Sequence, residues 1–272
     1  MLIYPNAKIN IGLNIVSKRP DGYHNIESIF YPIGLCDCIE ISPSDTCSDY
    51  SFSSSGIVVS GDPEDNLIIK AYRLLQTEYL LEPIDISLIK QIPFGAGLGG
   101  GSSDAAFTLK ALNEIFNLKI SGKKLENIAA KLGADCPFFI KNKATFAAGT
   151  GNEFTAVKLS LKGYYMVLVK PDIHVSTPEA YAMITPQIPE KSLLELIRQP
   201  VKTWKDSIKN DFEKPIFERH PEIAEIKQSL YDLGAIYASM SGSGSSVFGL
   251  FESMPTETHV FDKYFISGGF LD

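Results

Sequence analysis

The chain is poor in the residues that mark metal-bound or disulfide-stapled proteins. Only four cysteines (Cys36, Cys38, Cys47, Cys136) and four histidines (His24, His174, His220, His259) occur in 272 residues. No two cysteines form a C-x-x-C pair, and histidine is too scarce for a zinc-finger spacing. A chain of this length buries enough surface to fold without staples, so the cysteines are expected as reduced thiols. No apolar run approaches the ~18–20 residues that span a bilayer. Residues 1–8 lack the basic and apolar regions of a signal peptide. These absences predict a cytoplasmic protein with no membrane partner. Basic charge is in deficit too: 25 Lys and Arg stand against 32 Asp and Glu, a net charge of −7. That balance argues against nucleic acid as a partner, because such binding neutralises many phosphates. A small anionic substrate stays open, since a few local cations outweigh a distant net charge.

The length suits one large domain or two moderate ones, as monomer or homodimer. Ile9, Ile11, Leu13 and Ile15 alternate on one face of a strand, leaving Lys8, Asn10, Gly12 and Asn14 on a face expected to be open. Ser17 to Gly22 is turn chemistry, and residues 26–41 read as further strand, broken near Gly34. Residues 42–56 read as a loop or irregular hairpin. A helix begins at Leu67 with Asp65 or Asn66 as cap, and Ile84 to Ile92 is strand-like. Ala105, Leu109, Leu112 and Phe116 form one helical stripe. A second helix covers about 123–132, and Gly149 to Asn152 looks like a break between domains. Later elements are a strand at 164–169, a helix opened by Thr177 as cap with Pro178 behind it, and a helix through Ile223 and Leu230. Two strands flank Ser241 to Ser245. Strands and helices interleave without a strict βαβ rhythm, which predicts an α+β fold in two lobes.

The glycine run Gly95-Ala96-Gly97-Leu98-Gly99-Gly100-Gly101-Ser102-Ser103 is the strongest local signal. It removes side chains where backbone must approach something closely. A strand before it and a helix after it aim N–H groups and the positive helix end at one point, a phosphate site. No G-x-x-x-x-G-K-[ST] occurs, so it is no P-loop. The G-x-G-x-x-G match lacks the acidic residue a dinucleotide fold needs, since position 120 is Ile120.

Pro93 to Ser103 fits Pro-x-x-x-Gly-Leu-Gly-x-Gly-Ser-Ser without a gap, and so resembles the phosphate loop of the GHMP kinase superfamily. The strand Ala7 to Leu13 and the late loop Met240 to Ser246 supply two further blocks of that superfamily in the right order. Arg19-Pro20-Asp21-Gly22-Tyr23-His24, Asp65-Asn66-Leu67-Ile68 and Leu132 to Phe139 resemble the branch whose substrate is a cytidine diphosphate-linked methylerythritol. The resemblance implies an α+β two-lobed fold: an ATP-binding lobe at 1–158 and a ferredoxin-like lobe at 159–272. It implies transfer of the ATP γ-phosphoryl to the substrate's 2-hydroxyl, in the non-mevalonate isoprenoid precursor pathway.

Carried over residue by residue, Lys8 and Asp135 are the catalytic pair. ATP falls to Asn66 on its adenine side, and to Pro93, Gly95, Ala96, Gly97, Leu98, Gly99, Gly100, Gly101, Ser102 and Ser103. Mg²⁺ accompanies ATP, with Ser103 its candidate ligand. The substrate falls to Asn10, Tyr23, His24, Phe30, Thr177 and Tyr181, with Tyr23, Phe30 and Tyr181 stacking on cytosine and His24 bonding its edge. Plain alternatives stand beside these roles: Lys8 as a solvated charge, Tyr23 and His24 as core caps, Tyr181 as helix packing. A Lys8–Asp135 pair would keep the carboxylate ionised and ready for the hydroxyl proton. Phe94 departs from the smaller residue the loop pattern leads one to expect, and the C-terminal segment looks short. A homoserine or mevalonate kinase would not be expected to carry Asp-Gly-Tyr-His. A nucleotide-binding regulator that has lost catalysis would have no use for both Lys8 and Asp135.

Overall fold

The computed structural model describes residues 1–59 and 61–272. They group into two units, each discontinuous in sequence. The first holds Met1–Ala7, Leu35–Phe94 and Gly99–Lys143; the second holds Lys8–Gly34, Gly95–Leu98 and Ala144–Asp272.

In the first unit β1 (Leu2–Ile3), β4 (Cys38–Pro43), β6 (Ile84–Lys90) and β5 (Tyr50–Gly56) form a sheet in the order β1-β4-β6-β5. Ile84, Ile86 and Leu88 alternate inward along β6, the period of a strand with one face on a core. Against that face lie α1 (Leu67–Gln76) and α2 (Gly100–Ile115), followed by α3 (Gly122–Ala129) and α4 (Cys136–Lys141). Ile68, Tyr72, Leu75, Leu109 and Leu112 share one core with Ile39, Ile41 and Ile86. The serine-rich stretch expected as a loop or hairpin contains strand β5, which pairs parallel to β6. Its ladder bonds outweigh the weak strand preference of serine.

The second unit has two sheets. One runs β2 (Asn6–Lys18), β3 (His24–Cys36), β7 (Thr145–Ala148), β8 (Glu153–Ala156). The other runs β10 (Tyr237–Met240), β11 (Val247–Phe251), β9 (Tyr165–Lys170), β12 (Phe265–Phe270), antiparallel throughout. Between β9 and β10 come α5 (Thr177–Ala182), α6 (Leu193–Leu196), α7 (Trp204–Ser207), α8 (Glu213–Arg219) and α9 (Pro221–Asp232). Leu13, Ile15, Val169, Phe212, Ile226 and Val247 are among its core residues. The expected break at Gly149–Asn152 is instead the turn of the β7–β8 hairpin, where Ala148 pairs with Glu153. Two glycines at positive φ, Gly149 and Gly151, supply its backbone. The last element is strand β12. The units are not consecutive pieces, so they divide the chain differently from the single boundary expected at 158/159. The cause is the β2-β3-β7-β8 sheet, which joins residues 8–34 to the chain beyond 144.

Candidate active site

Strand β2 puts Ile9, Ile11, Leu13 and Ile15 inside, as its alternation dictates. Its other face is not open: Lys8 is 4% and Asn10 2% exposed. The glycine loop covers it. The Lys8 N–H donates to the Leu98 carbonyl at 3.0 Å. Its ammonium donates to the Gly97 carbonyl at 3.0 Å and to Asn10 Oδ1 at 2.5 Å. The Asn10 amide donates to Ser28 Oγ, and the Asn10 N–H donates to Ser241 Oγ. Ser241 Oγ in turn donates to the Gly97 carbonyl at 2.8 Å. Lys8 is thus a fixed cation rather than a solvated one. Gly97 has φ +74°, and the tight pass of Ser241 beside it leaves no room for a side chain. Phe30 is 2% exposed and lies 4.7 Å beneath the Lys8 ammonium. It is not among the residues that line the cavity holding Tyr23.

On the first unit, α2 starts from Gly99 at φ +69° with no side-chain cap bond. Its first-turn N–H groups have no acceptor within the helix and carry the positive end of the dipole, which fits a phosphate. Beside them a cavity of about 420 Å³ is lined by Asn66, Leu67, Phe94, Gly101 and Asp104 among others. Asn66 caps α1, its Oδ1 accepting the Ile68 N–H at 2.9 Å; the sequence signal for a cap and the resemblance's nucleotide contact meet in one residue. Phe94 is 46% exposed and forms part of the cavity wall. Ala96 and Leu98 are buried and anchor the loop, while Gly95 at φ +57° packs against His174.

Ser103 is the residue expected nearest a metal. It is 0% exposed and its hydroxyl has no partner, sealed on the packed side of α2. Among the described residues no three His, Cys, Asp or Glu side chains group as a metal site. Asp135 is the half-buried N-cap residue of α4, and its carboxylate makes no capping bond to that helix. Next to it, burial pushes the Cys136 thiol up to about 11, which makes it inert.

A second cavity, about 610 Å³, lies wholly in the second unit and is lined by Lys18, Tyr23, His24, Thr177 and Tyr181 among others. The Asp21 carboxylate accepts the Tyr23 N–H at 3.1 Å and holds the turn. Tyr23 itself is 66% exposed. His24 stacks on Tyr181, with centroids 4.9 Å apart and planes at 17°. Tyr181 also meets Phe212 edge-on, so helix packing and cavity lining are both its work. Burial first, then the Lys18 ammonium, lower the pKa of His24, which favours a neutral imidazole with one donor and one acceptor. Thr177 is not the cap of α5. Ser176 is, and Thr177 lies one residue inside with its hydroxyl bonded to Ser243 Oγ at 2.9 Å.

Sequence reasoning missed a buried ion triad in the first unit. Lys90 is 1%, Asp37 0% and Asp104 3% exposed. The ammonium of Lys90 bonds Asp37 at 2.5 Å and Asp104 at 2.7 Å. Asp37 also accepts the N–H groups of Gln91 and Ile92. Burial raises the Asp104 carboxyl, and Lys90 works against it. The only sequence signal was a lysine at an inward position of a strand whose other inward residues, Ile84, Ile86 and Leu88, are apolar.

A glycine loop feeding an uncapped helix, and a buried lysine tied to that loop, are features of the small-molecule kinases of the GHMP type. Family models match on both sides: "GHMP kinases N terminal domain" at residues 66–143 and "GHMP kinases C terminal" at 192–264. A 4-diphosphocytidyl-2-C-methyl-D-erythritol kinase of Parabacteroides distasonis is 58% identical over 100% of this chain and 98% of its own length. One of Bacteroides fragilis is 61% identical over 92% of each. A crystal structure of 4-(cytidine 5'-diphospho)-2C-methyl-D-erythritol kinase superposes with a TM-score of 0.81 at 30% identity, covering 100% and 99% of the two chains. Homoserine kinase from Cytophaga hutchinsonii shares the fold alone, at 18% identity, 98% and 94% coverage and a TM-score of 0.62. The chain belongs to the 4-diphosphocytidyl-2-C-methyl-D-erythritol kinase family and has its two-lobed α+β GHMP fold.

Proposed function

We propose that this protein transfers the γ-phosphoryl group of ATP to the 2-hydroxyl of 4-diphosphocytidyl-2-C-methyl-D-erythritol, in the cytoplasm and in the non-mevalonate route to isoprenoid precursors. The observation that carries the reading is the aromatic cavity of Tyr23, His24 and Tyr181. It offers stacking and edge hydrogen bonds to a pyrimidine and has no purpose in a homoserine or mevalonate kinase.

The residues fit ATP. Asn66 and Phe94 wall a cavity of base size, and the uncapped first turn of α2 offers N–H groups to phosphate. The phosphate loop spans Pro93 to Ser103, and the domain division at 158/159 is kept as part of this proposal. Mg²⁺ would be held chiefly by the phosphates of the bound nucleotide and would supply charge neutralisation there. No step is assigned to a protein ligand for it.

Asp135 accepts the proton of the 2-hydroxyl as its oxygen forms the new P–O bond. The bond between the β–γ bridging oxygen and the γ-phosphorus breaks, and ADP leaves with that electron pair. Lys8, tied to the glycine loop through Gly97, supplies positive charge to the developing negative charge. Such reactions depend mainly on positioning and charge neutralisation, with the base as a helper. The test is a coupled ADP-release assay over a panel of alcohols. ADP release with the cytidyl substrate, and none above background with homoserine or mevalonate, is the expected outcome. The reverse order overturns the reading, and ATP binding without turnover on any alcohol would favour a regulator.

A further inference from the structure

We infer that Lys90 and Asp104 are positioning residues for the nucleotide: their buried bond fixes the first turn of α2 against the end of β6. This rests on the reading of Pro93 to Ser103 as the ATP loop. Lys90 is the last residue of β6, and Asp104 lies in the second turn of α2. Everything between them is the phosphate loop. A bond of 2.7 Å between these two residues therefore closes the loop at its base.

The surroundings of the ammonium carry the argument beyond ordinary core stability. Lys90 has three N–H donors. Asp37 and Asp104 accept from it, and the Phe94 ring centroid lies 5.1 Å away. Phe94 and Asp104 both line the nucleotide cavity. Asp37 also takes the N–H groups of Gln91 and Ile92, so the chain leaving β6 has one course. A Cβ on Gly100, the first residue of α2, would lie 2.8 Å from Ile92 and 3.2 Å from the Lys90 nitrogen. The helix start thus rests directly on this ammonium.

Apolar residues of similar volume often replace buried ions without loss of stability. Two carboxylates around one lysine, beneath the loop, are therefore poorly explained by stability alone. One oxygen of Asp104 has no partner at all. Asp104 is fitted to hold Lys90, not to satisfy itself.

The experiment compares Asp104→Leu, Asp104→Asn and the double variant Lys90→Met/Asp104→Leu. Asp104→Leu leaves the Lys90–Asp37 pair neutral, so no lone charge is stranded. Thermal melting establishes that each protein is folded. The amide of Asp104→Asn retains an acceptor for Lys90 and is expected to keep ATP affinity near that of the wild type. Both folded leucine variants are expected to raise the KM for ATP about ten- to hundredfold, the scale of an ångström-level misplacement. The KM for the cytidyl substrate should stay within about twofold, as for an independent site. A folded Asp104→Leu protein with wild-type ATP KM overturns the inference, as does an equal loss in Asp104→Asn. Calorimetric titration with ATP alone gives the same decision without turnover. Failure of the wild type to release ADP would therefore fall on the proposed reaction and not on this pair.

Discussion

The carbonyl oxygen of Ser241 stands 1.9 Å from the point a methyl group on Gly97 would occupy. No side chain fits there, and φ at Gly97 is +74°, a region that favours glycine. The same glycine's carbonyl receives the Lys8 ammonium and the Ser241 hydroxyl. Loop shape and the position of the Lys8 ammonium are therefore one feature.

Gly97→Ala should reduce kcat/KM for ATP by about hundredfold or more, since the loop must move off Ser241 and take Lys8 with it. Gly122→Ala is the control: nothing lies within 4 Å of its Cβ, so melting temperature and kinetics should match the wild type. Steady-state kinetics on both variants checks the claim, and an active Gly97→Ala protein would refute it.

Asp135→Asn is nearly isosteric and should leave both KM values in place while kcat falls by about 10²–10⁴, the range for lost general-base help. A kcat within a few-fold of wild type would leave charge neutralisation by the loop as the main effect.

The glycine loop, β2, β6 and the stripes of α1 and α2 were legible because each has one dominant periodicity or a motif. The faces were not. Lys8 and Asn10 alternate like solvent-facing residues but are covered by a loop whose path depends on Ser241, more than two hundred residues away. The β7–β8 turn reads as a break because glycines in a hairpin and glycines in a linker look alike locally. Asp37, Lys90 and Asp104 carried no motif, and only the fold brings them together. Nothing in the sequence around Phe30 shows that its ring lies beneath the Lys8 ammonium.

Tyr23→Ala should raise the KM for the cytidyl substrate roughly five- to 150-fold, because base stacking is worth about 1–3 kcal/mol. The KM for ATP and the melting temperature should not change, given that Tyr23 is 66% exposed. A substrate lacking the cytidine should show no effect. Equal losses for both nucleotides would remove Tyr23 from the cytosine site.

Burial and the Lys18 ammonium hold His24 below its ordinary value of 6.5. Above that pH the imidazole is neutral in folded and unfolded chains alike and adds nothing to pH dependence. As pH falls below 6.5 the unfolded chain takes up the proton first, so the cost of His24 to stability grows until pH passes its folded value and stays constant below it. Protonation also removes the ring acceptor, and the KM for the cytidyl substrate should rise on that acid limb. His24→Gln should flatten the limb, and Lys18→Met should move it to higher pH. Kinetics between about pH 5 and 8 checks both, and an unchanged limb in His24→Gln would assign it to another group.

The proposed regiochemistry is open to one direct measurement, proton-coupled ³¹P NMR of the product formed from ATP and 4-diphosphocytidyl-2-C-methyl-D-erythritol. The carbon bearing the 2-hydroxyl carries the methyl group and no hydrogen. Transfer to that oxygen gives a new phosphomonoester signal with no three-bond splitting by hydrogen, alongside ADP. A split monoester signal would mean a different hydroxyl accepts the phosphoryl group, and inorganic phosphate alone would mean that water does; either result contradicts the account.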